Sequence, residues 1–121
     1  MEYAILIHSE ASNEPEAWND AERAEAFFAE MNAFASALEA SGEFVTARRL
    51  SSPDKSTTVR REGDRTVTTD GPFAETKECL AGFFLVECEA PDRALEIARS
   101  IPATRLGPIE VRPIGGRKGS G

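Results

Sequence analysis

Cysteine and histidine are scarce in this chain, and their scarcity excludes several kinds of site. The sequence holds two cysteines, Cys79 and Cys88, and one histidine, His8. The cysteines form no CxxC pair and His8 is distant in sequence, which leaves too few ligands for a tetrahedral zinc site. The sequence also contains no phosphate-binding loop, dinucleotide-binding glycine pattern or nucleophile elbow. We therefore expect two free thiols in a reducing compartment, no bound metal and no cofactor.

Positive charge and long apolar runs are scarce as well. Lysine and arginine number 14 against 21 aspartates and glutamates, giving a formal net charge of −7. Such a surface repels phosphate groups, so neither nucleic-acid binding nor binding to an anionic membrane is expected. No segment approaches the roughly 20 apolar residues of a membrane-spanning helix. The opening MEYAILIHSE also lacks the basic start of a signal peptide. The sequence predicts a cytoplasmic protein.

The length of 121 residues is typical of a single domain. We place that domain at residues 1–115. Residues 116–121 are rich in glycine and carry basic side chains, and they are predicted to form a flexible tail.

Alternating and helical apolar patterns predict the first two elements. In EYAILIHS the side chains of Tyr3, Ile5 and Ile7 share one face of a strand, with His8 at its end. Apolar residues then recur at helical spacing and predict a helix over residues 20–41. Its capping box is Asn19 with Glu22, and Gly42 ends it.

The second half of the chain repeats the order of strand and helix. A strand (EFVTARRL) and a hairpin turning at EGD lead to the buried strand AGFFLVECE and the closing strand RLGPIEVRPI. Between the last two lies a short helix, whose predicted apolar side is Ala94, Leu95, Ala98 and Ile101. Two βαβ-type halves on one antiparallel sheet predict an α+β, ferredoxin-like sandwich with an inserted β-hairpin. The helices cover one sheet face, so we expect a second copy to cover the other in a homodimer.

The polar segment DGPFAETKE, residues 70–78, has a structural and a functional explanation. In the structural one, Asp70 forms an Asx-turn and Gly71 supplies an unusual backbone conformation. Pro72 then fixes the chain, and Phe73 enters the core as a plug. In the functional one, the same segment is a site loop.

The segment resembles the signature of the DGPF family, a branch of the YCII-related domain proteins. YAILIH, ALEASG, STTVR, GFFLVE and GPIEVRPI also occur in the order that this family shows, so the resemblance covers about residues 1–115. It implies a ferredoxin-like fold that dimerises into an α/β barrel. Some YCII-related enzymes act on ring-cleavage products or muconolactone-like compounds. Members of the DGPF branch are often encoded beside extracytoplasmic-function sigma factors.

One departure limits what the resemblance implies about mechanism. YCII-related enzymes are thought to use a His–Asp pair with the histidine on the first helix. Here the only histidine lies on the first strand, and the helix offers Glu30, Met31 and Asn32 instead. Of such a pair, only the aspartate carries over, as Asp70.

The residues themselves allow acid–base chemistry at the loop. If the ends of two strands converge, Asp70 orients His8 and favours its charged form. That pair suits proton abstraction beside a carbonyl, an isomerisation or loss of a small leaving group. The further candidates are Glu75 as a second proton carrier, Lys77 and Glu78 as ligand contacts, and Trp18 and Phe73 as apolar walls. Each also has a plain structural explanation, such as packing for Trp18 or a surface ion pair for Lys77.

Two classes of function fit these observations. The first is a cofactor-free lyase or isomerase acting on a small acidic or enolic metabolite in a cleft near Asp70. The second is a non-catalytic dimer that binds a ligand or a protein and is associated with a sigma-factor regulatory circuit.

Overall fold

The computed structural model describes residues 1–116. A four-stranded antiparallel sheet forms the centre of the fold. In chain order the elements are β1 (Glu2–Ser9), α1 (Ala21–Ser41), β2 (Phe44–Arg49), β3 (Thr57–Glu62), β4 (Arg65–Asp70), β5 (Cys79–Glu87), α2 (Pro91–Ser100) and β6 (Ile109–Pro113). The sheet order is β2-β5-β1-β6, and β3 pairs only with β4 in a separate two-stranded sheet. Without that inserted hairpin, the order and connections are those of a ferredoxin-like α+β fold. The sheet is open within one chain, and the predicted tail beyond residue 116 lies outside the described residues.

Both helices pack on one face of the sheet. Tyr3, Ile5 and Ile7 of β1 point to that face and are buried, as their alternation predicts. Phe84 of β5 lies beneath Phe34 of α1, with ring centroids 5.6 Å apart in an edge-on arrangement. Such pairs add stability beyond the apolar area that they bury. The core therefore lies between the sheet and the two helices.

Within the described part of the chain, no helix covers the opposite face of the sheet. Cross-strand pairing places Leu6 beside Phe83 and Ala4 beside Leu85, so these side chains share that face. Leu6, Phe83 and Leu85 are half-buried. We call this surface the open face.

Two details of the sequence prediction change. Asp20, not Asn19, caps α1, because its carboxylate accepts the Arg23 amide at 3.0 Å. Leu95 was predicted to face the core, but its side chain is 40 % exposed. Ile97 is buried in the core instead. The buried positions of α2 are therefore 94, 97 and 98, and Ile101 directly after the helix continues the same stripe, from which Leu95 is rotated away.

A close backbone approach positions the end of β1. The amide of His8 donates to the carbonyl of Pro108 at 3.0 Å. A Cβ atom built on Gly107 would overlap the carbonyl oxygen of His8, and the atoms in conflict belong to the backbone. Only glycine therefore lets the segment before β6 lie against His8.

Gly107→Ala is expected to lower the free energy of unfolding by about 1–3 kcal/mol, the usual cost of overpacking, because the two backbone segments must separate. Gly115→Ala is the matched control, since nothing lies within 4 Å of a Cβ there. Chemical denaturation of the two variants measures the difference. Equal stabilities would contradict the close approach.

An ion pair joins α2 to the start of β2. The guanidinium of Arg93 donates twice to Glu43, at 2.8 Å each, and Ser41 donates to the same carboxylate at 2.7 Å. These bonds, those of Arg93 first, lower the pKa of Glu43 to about 2. The folded state therefore favours ionised Glu43 more than the unfolded chain does.

Glu43→Gln should reduce the free energy of unfolding by about 1 kcal/mol at pH 7, a modest loss because the pair is partly exposed. The wild-type carboxylate stabilises the fold fully above its unfolded pKa of about 4.5 and loses that effect as the pH falls towards 2. Urea titrations between pH 3 and 7 measure this, with Glu39→Gln as an exposed control. A loss as large at pH 3 as at pH 7 would contradict this explanation.

Candidate functional site

The loop after β4 is held to β3 by three hydrogen bonds. Gly71 has a φ of 93°, a conformation that favours glycine, and its amide donates to the carbonyl of Ser56 at 2.7 Å. The Thr58 hydroxyl donates to the Gly71 carbonyl at 2.8 Å, and Arg60 donates to the Phe73 carbonyl at 3.1 Å. The unusual backbone conformation predicted for Gly71 is confirmed, and these hydrogen bonds join the loop to the hairpin.

The structural explanation of this loop is wrong in two respects. Phe73 is 76 % exposed and does not plug the core. The bonds that hold the loop within residues 1–116 come from the backbone, Thr58 and Arg60, and none comes from an Asx-turn of Asp70. The physical reason is that the hairpin forms its own sheet, so a loop at its end does not reach the interior.

A groove of about 650 Å³ lies between the end of the main sheet and this hairpin. We call it the His8 groove. His8 and its cross-strand neighbour Leu80 line one side. The remaining wall comes from the segment after β2 and from the hairpin with its loop, chiefly Ser52, Pro53, Lys55, Thr57, Thr58, Pro72, Phe73, Thr76, Glu78 and Cys79. The groove thus combines an imidazole, an ammonium group and a carboxylate with apolar surface.

The predicted site residues divide between this groove and its surroundings. His8, Phe73 and Glu78 line it. Asp70 is the exposed last residue of β4, opposite Thr57 in the hairpin ladder, and Glu75 is exposed in the loop. Neither is a lining residue of the groove, and within residues 1–116 no hydrogen bond joins Asp70 to His8.

Two predicted ligand contacts have other neighbours. Lys77 is 85 % exposed, and its ammonium group lies 3.7 Å from Glu10. Trp18 packs edge-on against Phe27 of α1, with centroids 5.7 Å apart, and its indole N–H donates to the Asn13 carbonyl at 3.1 Å. Arg23 lies 3.8 Å above the same ring. Trp18 therefore packs against α1, which is the structural alternative that the sequence also allowed.

Sequence reasoning missed Lys55. It ends the short 3₁₀ helix Pro53–Lys55, in a segment that reads from the sequence as a plain loop. Pro53, within SSPDKS, was the only local signal of that helix. Nothing local to the segment shows that it borders the strand carrying His8.

The cysteines form no disulfide, as predicted. Burial raises the pKa of the Cys88 thiol, which keeps it protonated and unsuited to nucleophilic attack. Among residues 1–116, no three His, Cys, Asp or Glu side chains are grouped so that they could hold a metal ion. Across the same residues, no helix is both long and apolar enough to cross a membrane.

Comparison with known proteins identifies the family. The model of the YCII-related domain matches residues 1–116, essentially everything that the structure describes. The chain belongs to the YCII-related domain family. An uncharacterised protein of Rhizobium meliloti (strain 1021) is 36 % identical over 118 residues, which cover 94 % of this chain and 92 % of that protein. The predicted resemblance to the YCII-related domain family is thereby confirmed, and these relatives show no specific function.

Proposed function

We propose that this YCII-related protein binds a small carboxylate metabolite in the His8 groove and acts on it as a cofactor-free lyase or isomerase. The observation that carries the proposal is the presence of His8, Lys55 and Glu78 on the walls of one groove. Histidine exchanges protons near neutral pH, and an ammonium group attracts a carboxylate. Phe73 and Leu80 supply apolar surface for the rest of the molecule.

The proposed reaction is proton transfer beside a carbonyl or carboxylate. His8 takes a proton from the carbon, and the electron pair of the broken C–H bond moves into an enolate. Lys55 stabilises the negative charge that develops on oxygen. In an isomerisation, protonated His8 returns this proton to another carbon, directly or through the Glu78 carboxylate on the groove wall. In a lyase reaction, the leaving group departs with the electron pair of its broken bond and takes the proton from His8. Glu75, which lies outside the groove, would carry a proton only if the loop closes on it.

In this proposal Asp70 acts from outside the lining of the groove. It lies two residues before Pro72, a lining residue of the groove, and its carboxylate is exposed. If the loop closes on His8, the aspartate can orient the imidazole. Lys77, exposed in the same loop, would meet the ligand only in such a closed arrangement.

A thermal-shift screen of small carboxylates, lactones and keto acids tests the proposal. A ligand at 100 times its Kd stabilises the folded state by about 2.7 kcal/mol, so a wild-type hit raises the Tm clearly. His8→Gln should abolish turnover of the hit, and Asp70→Asn should reduce it. Asp64→Asn, at the exposed hairpin turn, is the matched control and should behave as wild type.

The proposal fails if no member of the screen raises the Tm, or if His8→Gln leaves both binding and turnover of the hit unchanged. Binding that depends on His8 without any turnover would instead favour the second function, a ligand-binding dimer. Exposed Val59 and Phe73 on the hairpin, at 62 % and 76 %, favour that second function in its protein-binding form. A partner in a sigma-factor circuit is then the candidate.

We also propose that the protein is a cytoplasmic homodimer of the DGPF branch. The branch assignment rests on DGPFAETKE at residues 70–78, and the dimer rests on the open face. Leu6, Phe83 and Leu85 lie together there and are half-buried, and no helix among residues 1–116 covers them. The hairpin adds an isolated two-stranded sheet, which is marginally stable in water unless it packs against something. A second copy facing this surface would complete the α/β barrel.

Leu85→Glu should convert the dimer to a monomer, because it places a charge in the proposed interface. Leu95→Glu is the control, since that leucine is exposed on α2 and lies away from the open face. Light scattering coupled to gel filtration measures the mass, and circular dichroism checks the fold. A monomeric wild type, or a Leu85→Glu protein that stays dimeric, would overturn the homodimer.

A further inference from the structure

A second cleft, of about 220 Å³, lies on the helix side of the sheet, beneath the first half of α1. We call it the α1 cleft. Phe27, Phe28 and Met31 form its helix wall, and Ala47 and Gly82 form part of its floor. The His8 groove and the α1 cleft share no lining residue. The α1 cleft is therefore a separate feature, which the proposed reaction does not use.

The cleft exists because several of its lining residues have small side chains, which do not fill the space between α1 and the sheet. A Cβ atom on Gly82 would lie 2.8 Å from the carbonyl oxygen of Arg48, so the approach of β2 excludes a larger residue. Ala47 beside it and Ala35 above it also add little volume. At Phe34 of α1, by contrast, the aromatic ring packs directly on Phe84 and fills the space between the helix and the sheet. The helix wall of the cleft thus extends from Phe27 to Ala35.

A cation lies at the rim of this apolar cleft. The guanidinium of Arg49, one of the lining residues, is 4.9 Å from the ring centroid of Phe28. Its carboxylate partner is Glu16, at 2.5 Å, and both side chains are nearly half exposed. A pair so exposed contributes at most about 1 kcal/mol, so an incoming carboxylate can replace Glu16 at little cost. A guanidinium also binds carboxylates through two parallel hydrogen bonds.

We propose that the α1 cleft binds a small aromatic carboxylate. The ring lies between Phe27, Met31 and the floor at Ala47, and the carboxylate takes the place of Glu16 on Arg49. An apolar cavity of about 150 Å³ can hold benzene, so this cleft has room for one ring with a short side chain. Stacking of Arg49 on Phe28 holds the guanidinium at the rim before the ligand arrives.

Calorimetric titration with phenylacetate and with 2-phenylethanol, its neutral counterpart of similar shape, tests the proposal. Wild-type protein should bind phenylacetate about tenfold more tightly than 2-phenylethanol, a difference in binding free energy of roughly 1.4 kcal/mol. Arg49→Met keeps the apolar stem and should make the two affinities equal. Glu16→Gln removes the competing carboxylate and should tighten phenylacetate alone.

Ala35→Leu fills the cleft from the helix side and should abolish binding of both compounds without lowering the Tm. His8→Gln should leave both affinities unchanged, which separates this cleft from the His8 groove. The proposal is overturned if phenylacetate does not bind at millimolar concentration, or if its advantage survives in Arg49→Met. It is also overturned if Ala35→Leu still binds both compounds, because they then occupy another site.

Discussion

The candidate site depends on one irregularity in the central strand pair. Between Ile7 and His8 the register of β1 on β5 shifts by one residue, so that Ile7 faces Gly82 while His8 faces Leu80. Since side chains alternate along a strand, a regular ladder would place Leu80 beside buried Ser9. The bulge instead brings Leu80 to the side of His8, where the two form one wall of the His8 groove. The close approach of Gly107 then fixes the backbone of His8 from the other edge.

The hairpin supplies the facing wall, and it is built almost independently of the sheet. β3 and β4 pair only with each other, and hydrogen bonds from Thr58 and Arg60 hold the loop that follows them. The core and the hairpin therefore have different roles in the candidate site. The core between sheet and helices determines where His8 lies, and the hairpin determines which side chains face it. Large apolar groups such as Phe73 can then be exposed without weakening the core.

Much of the fold could be predicted from the sequence because local patterns encode it. The alternation in β1 and the helical spacing in α1 each reflect a face buried against the core, and Gly42 does end α1 in a left-handed conformation. The candidate site was less accessible, because it depends on contacts between distant segments. Lys55 and His8 are separated by a long helix and one strand, and no local pattern records that they share a groove. Phe73 was misplaced for the same reason: its apolar character indicates burial, and only the position of the hairpin shows that the core lies elsewhere.

The most direct test of this account asks whether the signature loop faces His8 across one groove. His8 is the only histidine, so its imidazole gives a single set of NMR signals. A nitroxide on Ala74→Cys, in a Cys79→Ser background, should broaden those signals strongly, whereas the same label on Leu95→Cys should not. Diluting the isotope- and spin-labelled protein with an excess of unmodified protein restricts the effect to one chain. Equal broadening from the two positions would contradict the groove and, with it, the proposed role of His8.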